Sequence, residues 1–132
     1  MIPKFRAWDT KHNQWICGSN LHIDINGILY WWNFAEYCEF QGDQEIANIV
    51  LMQSTGLKDE NGKEIFEGDI VRYETQDGPE DDYVFWLEEC AAWGLMPIGN
   101  EINKGCFLFN VGNDAVEIVG NIHQNPELLE RN

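Results

Sequence analysis

Four consecutive residues, Asp59-Glu60-Asn61-Gly62, carry the oxygen-rich, turn-forming chemistry of a cation-binding loop. A calcium loop of the EF-hand type needs oxygen ligands at its first, third and fifth positions, a glycine at the sixth and a glutamate at the twelfth. Counted from Asp59, the third position is Asn61, but the glycine arrives fourth, Lys63 holds the fifth and Ile70 the twelfth. Lys63 repels a divalent cation and Ile70 offers no oxygen, so the stretch reads as a turn centred on Gly62 between strand segments. Gly68-Asp69 reads similarly. Gly68 permits a bend, and Asp69 accepts nearby backbone N–H groups as a strand begins. A catalytic Asp69 would need a partner acid or histidine at a diagnostic spacing, and none is present. Substituting Asp59 or Asn61 is therefore expected to affect folding modestly, and substituting Gly68 more.

The other reactive side chains are dispersed. Cys17, Cys38, Cys90 and Cys106 form no CxxC pair, and His12, His22 and His123 are equally scattered, so the close ligand pairs of a zinc site are missing. A Cys–His pair can still meet in space. There is no P-loop and no GxSxG elbow, and Gly99 to Gly105 is too sparse for a dinucleotide fingerprint. No catalytic, cofactor-binding or metal-ligating residue is assigned, no cofactor is expected, and the balance leans away from an enzyme.

Charge is more informative. With 23 acidic against 8 basic side chains the net charge is −15, which disfavours a direct grip on nucleic acid or attraction to anionic lipid. Between Arg72 and Lys104 no basic residue occurs, while Glu74, Asp77, Glu80, Asp81, Asp82, Glu88, Glu89 and Glu101 are acidic. Two readings stand. The run is either a solvated loop that keeps aromatic strands apart, or an acidic face that docks a basic protein by imitating nucleic-acid phosphates. In the second reading Glu80, Asp81, Asp82, Glu88 and Glu89 are the protein-binding residues.

The elements that would carry these residues are short. A length of 132 residues suits a single domain over 1–132, with a subdivision into a β-rich part, 1–50, and a barrel-like part, 51–132. Lys4 to Trp8 alternates as a strand, with Trp15-Ile16 as its returning partner. Asn26-Gly27 separates Leu21–Ile25 from Ile28–Trp32 and predicts a hairpin with a type I′ turn. Asn33-Phe34-Ala35-Glu36 has the pattern of a capping box opening a short helix. Ala47–Met52 and Ile70–Tyr73 read as strands, Glu74–Asp82 as an exposed loop, and Tyr83–Leu87 as a strand buried on both faces. Ala91–Ile98, Cys106–Val111 and Ala115–Val119 read as further strands, with Asn100–Gly105 a loop and Gly112-Asn113 a turn. Asn125-Pro126-Glu127 starts a short helix with Asn125 as N-cap. The expected fold is α+β but predominantly β: a small antiparallel barrel or sandwich, an SH3-like barrel being one form, with short helical segments. The polar N-terminus lacks an apolar signal-peptide core, and no stretch approaches the length of a membrane span, so a cytoplasmic setting with free thiols is expected.

Three blocks of sequence, in order, resemble the YopX family. They are Lys4-Phe5-Arg6-Ala7-Trp8-Asp9; Met52-Gln53, Thr55 to Asp59 and Asn61 to Val71; and Val116 to Ile122 followed by Asn125 to Leu129. Ser54 and His123 stand where the family pattern has aromatic residues, and Gly18–Ile46 is not matched by any of the three blocks. The resemblance implies a protein of bacteriophages and prophages of Gram-positive bacteria, of mixed fold and self-associating, and it carries over no activity, cofactor or catalytic residue. The leading expectation is a non-enzymatic accessory protein that binds a basic host or phage protein. The alternative is an oligomeric structural or assembly protein with aromatics lining its interfaces. A metal-dependent hydrolase or nuclease built on scattered carboxylates ranks third.

Overall fold

The computed structural model describes residues 4–10, 13–16, 21–23, 29–33, 39–43, 49–98 and 106–130. Two compact units divide the chain, one formed by Phe5–Met52 and the other by Gln53–Asn132 with Met1–Lys4. The structure is mostly antiparallel β with a few short helical turns.

In the Phe5–Met52 unit, β1 (Phe5–Asp9) pairs with β2 (Gln14–Ile16), setting Trp8 opposite Trp15. Ala7, Trp8 and Asp9 are all buried, so both faces of this end of β1 are covered, while Phe5 stays exposed. The two indoles meet edge to face at 4.9 Å, and the Arg6 guanidinium lies 4.5 Å from the Trp15 ring centre. β3 (Leu21–Ile23), β4 (Leu29–Asn33) and β5 (Glu39–Asp43) form an antiparallel three-stranded sheet. β3 and β4 pair antiparallel as a hairpin there would require, but the register Ile23↔Leu29 is one residue off that of a two-residue Asn26-Gly27 turn, which would set Ile23 opposite Tyr30; the connection itself lies outside the described residues. The capping box also falls largely outside them, and its first residue, Asn33, ends β4. β5 has no counterpart among the expected elements. β6 (Ile49–Lys58) leads from this unit into the next.

In the larger unit β6 pairs with β7 (Glu64–Phe66). A five-stranded sheet follows in the order β11-β10-β9-β8-β12, built from β8 (Asp69–Thr75), β9 (Gly78–Leu87), β10 (Ala92–Pro97), β11 (Cys106–Phe107) and β12 (Glu117–Asn121). The side-chain period of two puts Val71, Val84 and Leu95 on one face of this sheet. There they form a fully buried core with Ile65, Leu108 and Val116. Burying each such side chain stabilises the fold by about 2 kcal/mol.

Three expectations change here. The stretch Glu74–Asp82 is not a long loop. β8 and β9 run on to a two-residue turn at Gln76-Asp77, with Thr75 paired to Gly78. Gly78 takes φ +107, and the Thr75 hydroxyl bridges the turn by donating to the Gly78 carbonyl at 2.7 Å. Pro79 is tolerated because the pairing of β9 with β10 stops at Asp82. Nor is Tyr83–Leu87 buried on both faces: Val84 is buried, Tyr83 and Phe85 are half-buried, and Trp86 is 41% exposed. Finally, Cys106–Val111 is not one strand. After Phe107 the chain makes one helical turn, α1 (Leu108–Val111). A helical turn places residues three apart on the same side, so Leu108 and Val111 both reach the core, whereas a strand would send them to opposite faces. A 3₁₀ turn at Asn113–Ala115 then delays β12 to Glu117.

Candidate functional site

The sequence presents two kinds of acidic residue, those of the Asp59–Asp69 stretch and those of the Glu80–Glu89 run. Asp59 is 5% exposed and serves as a corner staple. Its Oδ1 accepts the backbone N–H groups of Asn61 at 2.9 Å and Lys63 at 2.8 Å, and its Oδ2 accepts that of Ile118 at 3.0 Å. Burial alone would raise its pKa. The Ile118, Lys63 and Asn61 N–H groups and the Lys63 charge outweigh burial and hold the carboxyl below its ordinary value. The same corner is fastened by Glu60 N–H on the Val116 carbonyl at 2.9 Å and by the Asn113 amide on the Lys58 carbonyl at 2.7 Å. Gly62, at φ +82, closes the turn as its sequence context predicts. Asp59 thus holds two distant segments together, and a larger folding effect is expected on substituting it than a local turn residue would give.

Asp69 does what its position suggested and more. Oδ2 accepts Phe66 N–H at 2.8 Å across the Gly68 bend, where φ is +85. Oδ1 accepts the Asn121 side-chain amide at 3.2 Å. Asn121 in turn accepts His123 N–H at 2.9 Å, while its own N–H donates to Asn125 Oδ1 at 3.1 Å. Asn125 therefore turns its side chain back to β12, and it is its carbonyl that receives Leu128 N–H at 3.0 Å as the 3₁₀ segment Pro126–Glu130 begins. Asn125 thus stands at the N-cap position expected of it, capping through its carbonyl while its side chain is spent on β12.

The five acidic residues singled out for protein binding do not form one surface. Glu80, Asp81 and Asp82 lie on β9 and alternate. Asp81 faces Arg72, whose guanidinium donates twice to its carboxylate, at 2.7 and 3.1 Å. Asp82 turns to the core face beside Val84 and is 0% exposed, so it offers nothing to a docking partner. Glu80 lies two residues away on the same face. Both carboxyls converge on the Tyr73 hydroxyl, which is 2.5 Å from Glu80 Oε2 and 2.8 Å from Asp82 Oδ2. Burial pushes the Asp82 carboxyl up to about 7. The Tyr73 hydroxyl works against this, and the Glu80 and Asp81 charges reinforce it. Burial, followed by the contacts to Glu80 and Asp82, also drives the Tyr73 phenol far above its ordinary value, and burial raises the Cys106 thiol nearby. Sequence reasoning missed this cluster. The available signal was the alternation Glu80, Asp82, Val84, which assigns all three to one face once β9 is extended toward its turn.

Glu88 and Glu89 lie elsewhere, exposed in the four-residue turn between Leu87 and Ala92 together with Cys90 and Ala91. Beside that turn Trp86 opposes Trp93 across the strands, edge to face at 5.0 Å. Among the described residues no group of three or more His, Cys, Asp or Glu side chains is placed to hold a metal ion. None of their helices is long and apolar enough to cross a membrane.

The residues that make the two staples, Asp59 with Ile118 and Asp69 with Asn121, are those of the second and third sequence blocks. The family described as YopX protein matches residues 4–130. The chain belongs to the YopX family. Among solved structures five chains match. One is protein EF1440 of Enterococcus faecalis, 28% identical over 98% of this chain and 99% of that one, with a TM-score of 0.62. Another is protein yopX of Bacillus subtilis, 22% identical over 96% and 97%, with a TM-score of 0.64, a likeness that concerns the fold alone. No curated protein matches. YopX membership thus establishes family and fold and assigns no activity.

Proposed function

We propose that this YopX protein is a non-enzymatic accessory protein of a bacteriophage or prophage, acting in the bacterial cytoplasm, and that it binds a basic protein through the end of the β9–β10 hairpin. The exposed Trp86 indole beside the exposed Glu88 and Glu89 carries the reading. Trp93 braces the indole, so little side-chain freedom is lost on docking. A lysine or arginine can lie over the indole face while the carboxylates neutralise it. The net charge of −15 would speed the encounter.

A pull-down from host lysate at low and high salt, with the wild-type chain and with Trp86→Ala/Glu88→Gln/Glu89→Gln, tests this. The expected result is a basic protein retained at low salt by the wild type and lost by the variant. A partner held equally by both chains, or no basic partner at either salt, overturns the docking face.

A second reading, self-assembly, is favoured by Phe109, which is 69% exposed and stacked on Phe107 at 5.0 Å beside the edge strand β11. Sedimentation across a concentration series distinguishes it: Phe109→Ser should then dissociate the oligomer, and a wild-type monomer at all concentrations removes it.

A further inference from the structure

Two oxygen–oxygen contacts of hydrogen-bond length meet at the Tyr73 hydroxyl, and the phenol has one proton to give. An ionised carboxylate only accepts. With Glu80 and Asp82 both charged, one contact would set lone pair against lone pair at 2.5 or 2.8 Å. A second proton must therefore sit on one of the two carboxyls. Glu80 is half-buried and reaches water, whereas Asp82 has no exposure and its Oδ1 has no hydrogen-bond partner among the described residues. An ionised Asp82 would leave that oxygen bare beside the core, an expensive arrangement that protonation removes.

We propose that Tyr73, Glu80 and Asp82 form a proton-binding site on the core face of the β8–β9 pair, with the proton held on Asp82 in the native state. The surroundings reinforce the geometry. From β8 comes the Tyr73 phenol, from β9 the Glu80 carboxyl, and from β11 the Cys106 thiol, so among the described residues the titratable groups at this site are all acidic. On β10 the residue opposite Asp82 is Pro97, which carries no charge. The cation of the strand pair, Arg72, is on the opposite face, engaged by Asp81. Burial, with the neighbouring negative charges, brings proton release to about pH 7. On release the second contact loses its proton, and the half-buried Glu80 is the arm able to move out to solvent.

The pH dependence follows from linkage. Between the ordinary carboxyl value of 3.8 and about 7 the folded chain holds a proton that the unfolded chain has released. The stability this site contributes is therefore complete below the lower value and is lost as pH rises through the upper one.

The test combines a carbon NMR titration of the Asp and Glu side-chain carboxyls in the intact wild-type protein with denaturant unfolding of the wild type and Asp82→Asn from pH 5 to 8. One carboxyl of the Glu80–Asp82 pair should titrate near neutrality, and its signal should vanish in Asp82→Asn. The wild-type unfolding constant should rise relative to the variant by up to ~tenfold per pH unit, the limit for one proton. Asp82→Asn retains a donor for Glu80 or Tyr73, so its profile should be nearly flat. Wild-type carboxyls that all titrate below about pH 5, or parallel profiles for the two chains, overturn the proposal. If Asp82→Asn does not fold, the wild-type titration decides alone.

Discussion

Asp59 and Asp82 are both buried carboxyls in the same unit, and their surroundings drive them in opposite directions. Asp59 is met by three backbone N–H groups from two segments, so burial of its charge is more than offset. Asp82 is met by one phenol shared with a second acid, and one of its oxygens has no hydrogen-bond partner among the described residues. Burial therefore does not by itself decide the state of an acid. The count of donors aimed at it does.

The largest expected effect comes from breaking the satisfied member. Asp59→Ala strips acceptors from the Asn61, Lys63 and Ile118 N–H groups and should cost about 3 kcal/mol or more, read as a lowered denaturation midpoint. A cost under about 1 kcal/mol would mean that water or neighbouring carbonyls replace the carboxylate. The pH response sharpens the contrast. Because the Asp59 carboxyl is held below 3.8, its contribution is present above that pH and is lost as pH falls through its lowered value. The contribution at Asp82 is lost in the other direction. Stability should accordingly decline on both sides of an interior maximum, with Asp59→Asn flattening the acid limb and Asp82→Asn the neutral one.

How much of this was legible follows from the range of the interactions. The Asp59–Gly62 turn and the Gly68 bend were readable because their partners lie within four residues. The role of Asp59 toward Ile118 was not, since it joins positions 59 apart in sequence. Asp82 was read as loop because acidic residues around Asp77-Gly78-Pro79 look solvated, and it is pairing with β8 and β10, with its side chain on the core face, that takes it out of water. The helical turn at Leu108 was hidden for a similar reason. Cys106–Val111 is apolar throughout, and the core position of Val111 decides between the two periods. The YopX signature was legible as a signature without revealing that Asp59 and Asp69 within it serve folding.

A smaller effect concerns the packing around the Asp69–Asn121 staple. A β-carbon on Gly120 would fall 2.7 Å from the Leu128 side chain and 2.9 Å from Asn125 Oδ1. Gly120→Ala should cost roughly 1–3 kcal/mol by pushing the Pro126–Glu130 segment off β12, visible as faster amide exchange at His123 and Leu128. The smallest effect is at the Arg72–Asp81 pair on the far face of β9, whose guanidinium is 40% exposed and whose carboxylate is 12% exposed. Arg72→Gln should cost no more than about 1 kcal/mol, since solvent and salt already screen the guanidinium. A larger loss would place Asp81 in the same class as Asp59.

The bond from Ile118 N–H to Asp59 has a kinetic meaning as well as an energetic one. It closes a span of 59 residues, and the Asn121–Asp69 bond closes one of 52. Contacts of such separation form late, after the entropy of closing the intervening chain has been met. During synthesis the Asp59 corner must wait for β12 to leave the ribosome, with its N–H groups turned to water until then. The family signature is thus completed only once β12 has been made, and a nascent chain stalled before Glu117 should remain open to proteolysis at that corner.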